Sequence, residues 1–254
     1  MNETYKVAAI QMVSTPEVEE NFAAARRLVG QAAGQGAQLV LLPEYWPIMG
    51  MHEKAKLAHA EQTDVGKIQD FMMALASEFK VWLIGGTLPM ASDEADKVLN
   101  TTMVYDPAGR RVARYDKIHL FSFVRGEEAY DEARTIVFGN EVGSFTAPFG
   151  KVGLSICYDL RFPELYRAMG DCALIVVPAA FTHTTGQAHW ETLLRNREPV
   201  LHPGVGARRQ ARQRSPHLGP QHADRPVGRN RQRAAGRRRP CYRRHRPPSS
   251  TIRT

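Results

Sequence analysis

From Tyr5 to about Arg195 the chain alternates short β-branched or aliphatic runs with stretches of helical period, the arrangement expected of a layered α/β fold. Tyr5 to Met12 reads as the first strand. Pro16 to Gln31 reads as an amphipathic helix, with Val18, Phe22, Ala25, Leu28 and Val29 along one stripe and Glu17, Glu19 and Glu20 in the first turn, where the helix dipole favours acids. Gly34 and Gly36 end it. Ala37 to Leu42 is a buried strand that runs into Pro43-Glu44, so a carboxylate stands just past a strand's carboxyl end. A second helix over 66–79 precedes a strand from Val81 to Thr87. The runs Leu99 to Tyr105 and Arg111 to Tyr115 flank Asp106-Pro107-Ala108-Gly109, which predicts a hairpin. Lys151 to Ile156 is again a buried strand, terminated by Cys157. A helix from Phe162 to Met169, a strand from Cys172 to Val177 and a helix from about Gln187 complete this part.

Composition refines the picture where it is uneven. With 43% hydrophobic residues in 254, the chain is apolar enough to close a substantial core. No run approaches the roughly 18 uncharged apolar residues of a membrane span, and Met1 to Lys6 is polar with no apolar signal core behind it, so a cytoplasmic protein is expected. Cys157, Cys172 and Cys241 are odd in number and lack CxxC spacing, which argues against a disulfide framework or a zinc ribbon. The net charge of +8 suggests nucleic acid until it is divided by position. Residues 196–254 hold 16 of the 34 Lys and Arg, with only Glu198 and Asp224 among acids, so that segment is +14; 18 basic and 24 acidic residues remain in 1–195, which is −6. Two compositions meet near Arg195.

Three ionisable residues occupy comparable places, each where an apolar strand gives way to a polar turn: Glu44, Lys117 and Cys157. Strand ends of open α/β sheets face the ligand crevice, so the three can converge there. A thiol with an ordinary pKa of about 8.5 is mostly protonated at neutral pH and needs a base or a nearby cation to attack carbon. Glu44 can take that proton. Lys117 can hold the negative oxygen that develops when the thiol adds to a carbonyl, and the strand-to-helix turn at Cys157 offers the backbone N–H of Tyr158 as a further donor. Taken singly, each residue has a plain structural reading: a core cysteine, a turn glutamate, a solvated lysine. A Cys–His hydrolase using His119 or His189 as base is the nearest enzymatic alternative.

The surrounding text decides between these readings. LLPEYWP around Glu44, RYDKIHLF around Lys117 and GLSICYDLRFPELYR around Cys157 resemble, in order and at suitable spacing, the nitrilase (carbon–nitrogen hydrolase) superfamily. The resemblance implies a four-layer αββα sandwich over 1–195 and a Glu-Lys-Cys triad, with Glu44 as general base and acid, Lys117 as electrostatic stabiliser and Cys157 as nucleophile. Glu132, in YDEARTIVFG, falls where such proteins carry a second glutamate that orients the lysine. RFPELYR with PAAFTHTTGQAHWETLLR is similar to amidases acting on ω-amides of dicarboxylates or on deaminated glutathione, which implies a small carboxylate-bearing amide, a thioester intermediate and release of ammonia. Nitriles and ureido compounds are the alternatives. Tyr45, Arg161 and Phe181 lie in the same blocks as candidate pocket residues, although Arg161 can equally pair with Glu164 or Asp159. No metal or organic cofactor is implied, and relatives of this kind form homodimers or higher homo-oligomers.

Residues 196–254 depart from that family text. After HWETLLR the superfamily continues with a strand resembling ENQCY and a later block resembling TWGHSMLIDPWGEI; here stand eight prolines, an arginine-rich sequence and no hydrophobic period. Synonymous codons for TWGHSMLIDPWGEI, read two bases out of frame, spell LGPQHADRPVGRN, which is Leu218 to Asn230. Codons for a segment beginning QCYILASAQGG likewise yield Pro199 to Gln210. The sequence therefore predicts a departure from the ancestral frame near Glu198, through a frameshift in the gene or an error in its reading. It also predicts a sandwich whose C-terminal strands are missing or disrupted, with 196–254 a disordered tail. The functional alternative is a basic arm, with clusters such as Arg237 to Arg239 binding nucleic acid by counterion release; with Tyr242 as its only aromatic residue for stacking, such binding is expected to be nonspecific.

Overall fold

Two β-sheets face each other in a computed structural model of the protein, which describes residues 4–50, 52–126, 128–197, 200–201 and 242–245. The strands in chain order are β1 (Tyr5–Ala9), β2 (Leu39–Leu41), β3 (Trp82–Ile84), β4 (Leu88–Ala91), β5 (Val98–Tyr105), β6 (Arg111–Asp116), β7 (Ser122–Arg125), β8 (Glu128–Asp131), β9 (Ile136–Val137), β10 (Ser144–Ala147), β11 (Gly150–Leu154), β12 (Leu174–Val176), β13 (Val200–Leu201) and β14 (Tyr242–His245). The first sheet runs β14-β1-β2-β3-β5-β4, with β6 and β9 also paired to β5. The second runs β10-β11-β12-β13, and β7 and β8 form a separate hairpin.

Side-chain alternation explains the layering. On β1 and β2, Val7, Ala9, Leu39 and Leu41 join a core with Phe145, Val152, Leu154 and Val176 of the second sheet. The intervening Ala8 and Val40, with Ile10 and Leu42, pack instead on α1 (Val18–Gly34) and α2 (Lys67–Phe79), through Ala25, Val29, Met72 and Leu75. A period of two thus sends one face of the sheet to helices and the other to a second sheet. Helix α3 (Pro163–Met169) lies on the second sheet, where Gly153 makes room: a Cβ there would meet the Met169 sulfur at 2.8 Å. A helical run from His183 through a π turn at Gly186–Trp190 to Arg195 adds Trp190 and Leu194 to the same core. The architecture is the αββα sandwich expected from the sequence.

Elements not anticipated are short ones. β10 carries a clear exposed–buried alternation, but over only four residues. β4 contains Pro89 and sits at the edge of its sheet, where a missing N–H is tolerated. Most of the segment expected to lie outside the sandwich, together with the frame reading at Leu218 to Asn230, falls outside the described residues. Of that segment, Val200–Leu201 pairs in parallel with β12 and Tyr242–His245 pairs antiparallel with β1. Both sit on sheet edges, whose free N–H and C=O groups accept a strand with no hydrophobic period of its own.

The strand ends that matter are fixed by backbone geometry. Beyond β2, Leu42 N donates to Ile84 O at 3.0 Å and Thr87 N to Pro43 O at 3.3 Å. Tyr45 N donates to Thr87 Oγ1 at 2.9 Å, and Trp46 Nε1 to Gly85 O at 2.7 Å. Gly86 has φ +55°, and a Cβ there would lie 2.0 Å from the Pro43 carbonyl oxygen, so glycine alone allows the two turns to touch. Gly86→Ala is expected to displace the Pro43-Glu44 turn, lowering stability by about 1–3 kcal/mol in urea unfolding with a larger proportional loss of any activity that needs Glu44. An unfolding midpoint equal to that of the parent would contradict this packing.

Candidate active site

Parallel pairing of β2 with its neighbours, and of β11 with β12, brings several strand ends to one place. Glu44 follows β2, Lys117 follows β6, Cys157 follows β11 and Ala180 follows β12. Ala180 N donates to Glu44 Oε2 at 2.8 Å, which ties an end of the second sheet to an end of the first.

Lys117 is the centre of this arrangement. Its side chain is fully buried, and Nζ lies 3.0 Å from Glu44 Oε1 and 2.8 and 3.1 Å from the two oxygens of Glu132. Other lone pairs of those carboxylates are also used. Asn100 Nδ2 donates to Glu44 Oε1 at 3.1 Å, Tyr45 Oη to Glu132 Oε1 at 2.8 Å, and Phe121 N to Glu132 Oε2 at 2.7 Å. Burial alone would push the Lys117 ammonium down; the Glu132 and Glu44 carboxylates outweigh it and hold the group well above the ordinary lysine value. Burial opposes ionisation of Glu132 too, yet the charge and hydrogen bonds of Lys117, with the Phe121 N–H and the Tyr45 hydroxyl, hold it below the usual carboxylate range.

Cys157 opens a 3-10 helix, Cys157–Arg161, directly after β11, and has φ +46°, a left-handed conformation that a cysteine rarely adopts. Its N–H donates to Pro178 O at 2.9 Å, which pins the strained turn to the end of β12. The N–H of Tyr158 belongs to the first turn of that helix, where donors have no partner within the helix. Burial first, and the Glu44 carboxylate second, push the Cys157 thiol well above its ordinary value, with Lys117 pulling the other way. The shifts favour a charged Lys117, an ionised Glu132 and a neutral Cys157 thiol.

One pocket is lined by Glu44, Tyr45, Glu132, Cys157, Tyr158, Arg161 and Phe181, together with Phe121, Ala180, Thr182 and Thr185. It therefore contains seven of the eight residues singled out from the sequence, and the eighth, Lys117, lies behind Glu44 and Glu132. Arg161 pairs with neither Glu164, which binds Arg167, nor Asp159, which binds His119. Its guanidinium instead stands over the Tyr158 and Phe181 rings, at 5.5 and 5.7 Å, with Nη2 3.2 Å from His189 Nδ1. Its Nε is buried without a hydrogen-bond partner among the described residues. Neither His119 nor His189 lines the pocket with Cys157; His119 Nδ1 is engaged by Asp159 and His189 Nδ1 by Arg161. Asn100, Phe121, Thr182 and Thr185 were missed; an asparagine inside the apolar strand VLNTTMVY was the one available signal, since a buried polar side chain needs a partner.

Comparison with known proteins places the chain in a family. Residues 6–200 match the profile of the carbon–nitrogen hydrolase family. The chain is 40% identical over 200 residues to a deaminated glutathione amidase of Synechocystis, covering 76% of this chain and 72% of that protein. It is 37% identical over 206 residues to human omega-amidase NIT2, covering 76% and 70%. Among solved structures, Saccharomyces cerevisiae Nit3, a member of branch 10 of the nitrilase superfamily, superposes with a TM-score of 0.72 at 28% identity, covering 83% of this chain and 79% of that one. The Caenorhabditis elegans NitFhit protein gives 0.70 at 32% identity, covering 80% and 52%. A buried Glu-Lys-Glu cluster, a cysteine on a strained strand-to-helix turn, and a sequence match across both sheets lead to one assignment: the chain belongs to the carbon–nitrogen hydrolase family.

Proposed function

We propose that the protein hydrolyses the amide of a small carboxylate-bearing compound through a thioester on Cys157. The observation that carries this reading is the fully buried Lys117 ammonium held between Glu44 and Glu132 beside the pocket that Cys157 lines. Cys157 Sγ adds to the amide carbon as its proton passes to Glu44, and Lys117 with the Tyr158 N–H stabilises the resulting oxyanion. Glu44 then gives the proton to the amide nitrogen, the C–N bond breaks and ammonia leaves. Water adds to the thioester with Glu44 as base, and collapse releases the carboxylic acid and restores the thiol. Glu132 keeps Lys117 charged and in place. The names of the amidase relatives support the amide class. The unpartnered Nε of Arg161, a cation beside two aromatic faces, supports a carboxylate on the substrate.

Among the described residues no helix is long and apolar enough to cross a membrane, and a cytoplasmic location is part of the proposal. Homodimer or higher assembly of the in-frame parent also belongs to it, with no specific nucleic-acid partner. The frame reading is retained as well: the family match ends at residue 200, where the arginine-rich text begins. Sequencing the nucleotides around codons 195–200 tests it directly.

Three outcomes follow. Ammonia release from a dicarboxylate monoamide is expected to be weak for the 254-residue chain and robust after frame correction, and Cys157→Ala or Glu44→Gln is expected to reduce the corrected enzyme by at least about a thousandfold; undiminished turnover by Cys157→Ala would end the proposal. Because burial and Glu44 raise the Cys157 thiol, its ultraviolet thiolate signal, taken as the difference from Cys157→Ala, should emerge only above the ordinary cysteine range of about 8.5. A thiolate present at neutral pH would contradict the charge assignment. Arg161→Met is expected to raise KM for the monoamide by about ten- to a hundredfold, in line with a lost charged hydrogen bond of about 1.5–3 kcal/mol, while leaving an uncharged amide of the same length nearly unaffected.

A further inference from the structure

Asp159 is fully buried and makes four hydrogen-bond contacts, to the 115–119 segment and to the Cys157 turn. Oδ1 receives His119 N at 3.0 Å and His119 Nδ1 at 2.7 Å. Oδ2 receives Tyr115 Oη at 2.7 Å and Ile156 N at 2.9 Å. Tyr115 and His119 each stand two residues from Lys117, one on either side, and Ile156 and Asp159 bracket Cys157. A single carboxylate therefore grips the segment that carries the lysine and the turn that carries the cysteine. The backbone N–H groups of His119 and Ile156 and the Tyr115 hydroxyl donate to this carboxyl, and the His119 ring joins them in the tautomer that carries its proton on Nδ1. That ring stacks on Phe162 at 3.7 Å, which fixes its plane.

We infer that Asp159 is a positioning residue: through Tyr115, His119 and Ile156 it sets the distance and angle between Lys117 and Cys157. Lys117 follows a strand of the first sheet and Cys157 follows a strand of the second, and what lies between the sheets is mainly apolar contact, which is non-directional and leaves sliding weakly opposed. Hydrogen bonds to a buried carboxylate are directional and short, and they sit at the strand ends where alignment matters. A misplacement of about 1 Å at a reacting group costs on the order of a hundredfold in rate. Asp159 itself does not line the pocket, so it acts through the residues it holds. The inference rests on the proposed thioester chemistry for its meaning, but its test does not.

The readout is the alkylation of Cys157 by iodoacetamide in the full chain, followed by mass spectrometry, with the half-buried Cys172 of the same molecule as internal reference. Asp159→Asn keeps the shape but offers one oxygen and two N–H groups to four donors. It is expected to change the Cys157-to-Cys172 rate ratio at least tenfold and to lower kcat by about ten- to a hundredfold with KM within twofold. Tyr115→Phe removes one donor while keeping the ring, so it guards against a variant that fails to fold. It should retain a cooperative unfolding transition, shift the ratio in the same direction by about threefold or more, and add little in combination with Asp159→Asn, as expected for residues of one network. A folded Tyr115→Phe protein with parental ratio, kcat and KM would overturn the inference. So would a loss in Asp159→Asn that tracks only the unfolded fraction. If no amide is turned over by any form while the ratio still shifts, the proposed reaction fails and the positioning role stands.

Discussion

An ammonium ion with no access to water is held in this protein by two carboxylates, and the surrounding chain is arranged to make that tolerable. Removing Lys117, Glu44 and Glu132 from water carries a large desolvation cost, which mutual attraction offsets only when the geometry is good and the remaining lone pairs are filled. The side chains of Asn100 and Tyr45 and the backbone N–H groups of Phe121 and Ala180 fill those of Glu132 and all but one on Glu44. These donors come from both sheets and from the connections between them. The charge cluster is therefore a product of the closed sandwich, and it also ties the sandwich together.

In the proposed reaction the same cluster sets the chemistry. A thiol kept neutral by burial and by a neighbouring carboxylate is a poor nucleophile at rest, but it has its base beside it and a fixed cation near the oxygen that will carry charge. Under that proposal activation is postponed until a carbonyl is present to receive the sulfur, which limits side reactions of a free thiolate. The left-handed turn at Cys157 belongs to the same economy of design: its strain is held by the Pro178 carbonyl and by Asp159 one turn on, so the sulfur is presented by rigid structure.

Much of the fold was legible because hydrophobic period is a direct imprint of burial. The apolar runs of β1 and β2, the helical stripe of α1 and the DPAG turn before β6 were all readable, and their structural bounds differ from the reading by a few residues. Asn21 shows the limit. It occupies the buried stripe of α1, where its amide donates to Pro47 O at 3.0 Å, a contact with a residue whose position depends on the Glu44 turn. Residues such as Asn100 and Asp159 were illegible as site residues for the same reason, since a polar side chain in an apolar run shows that a partner exists but not which one.

The sequence by itself determined the layered α/β class, the three strand-end residues Glu44, Lys117 and Cys157, and the family text around them, because strand period and short motifs are local properties of the chain. Only the tertiary structure decided how closely Glu132 and Glu44 share one ammonium, that Arg161 has no acidic partner among the described residues, and that Asp159 joins the lysine and cysteine segments. Those are spatial relations fixed by how the sheets and their connections pack, and no local pattern encodes them.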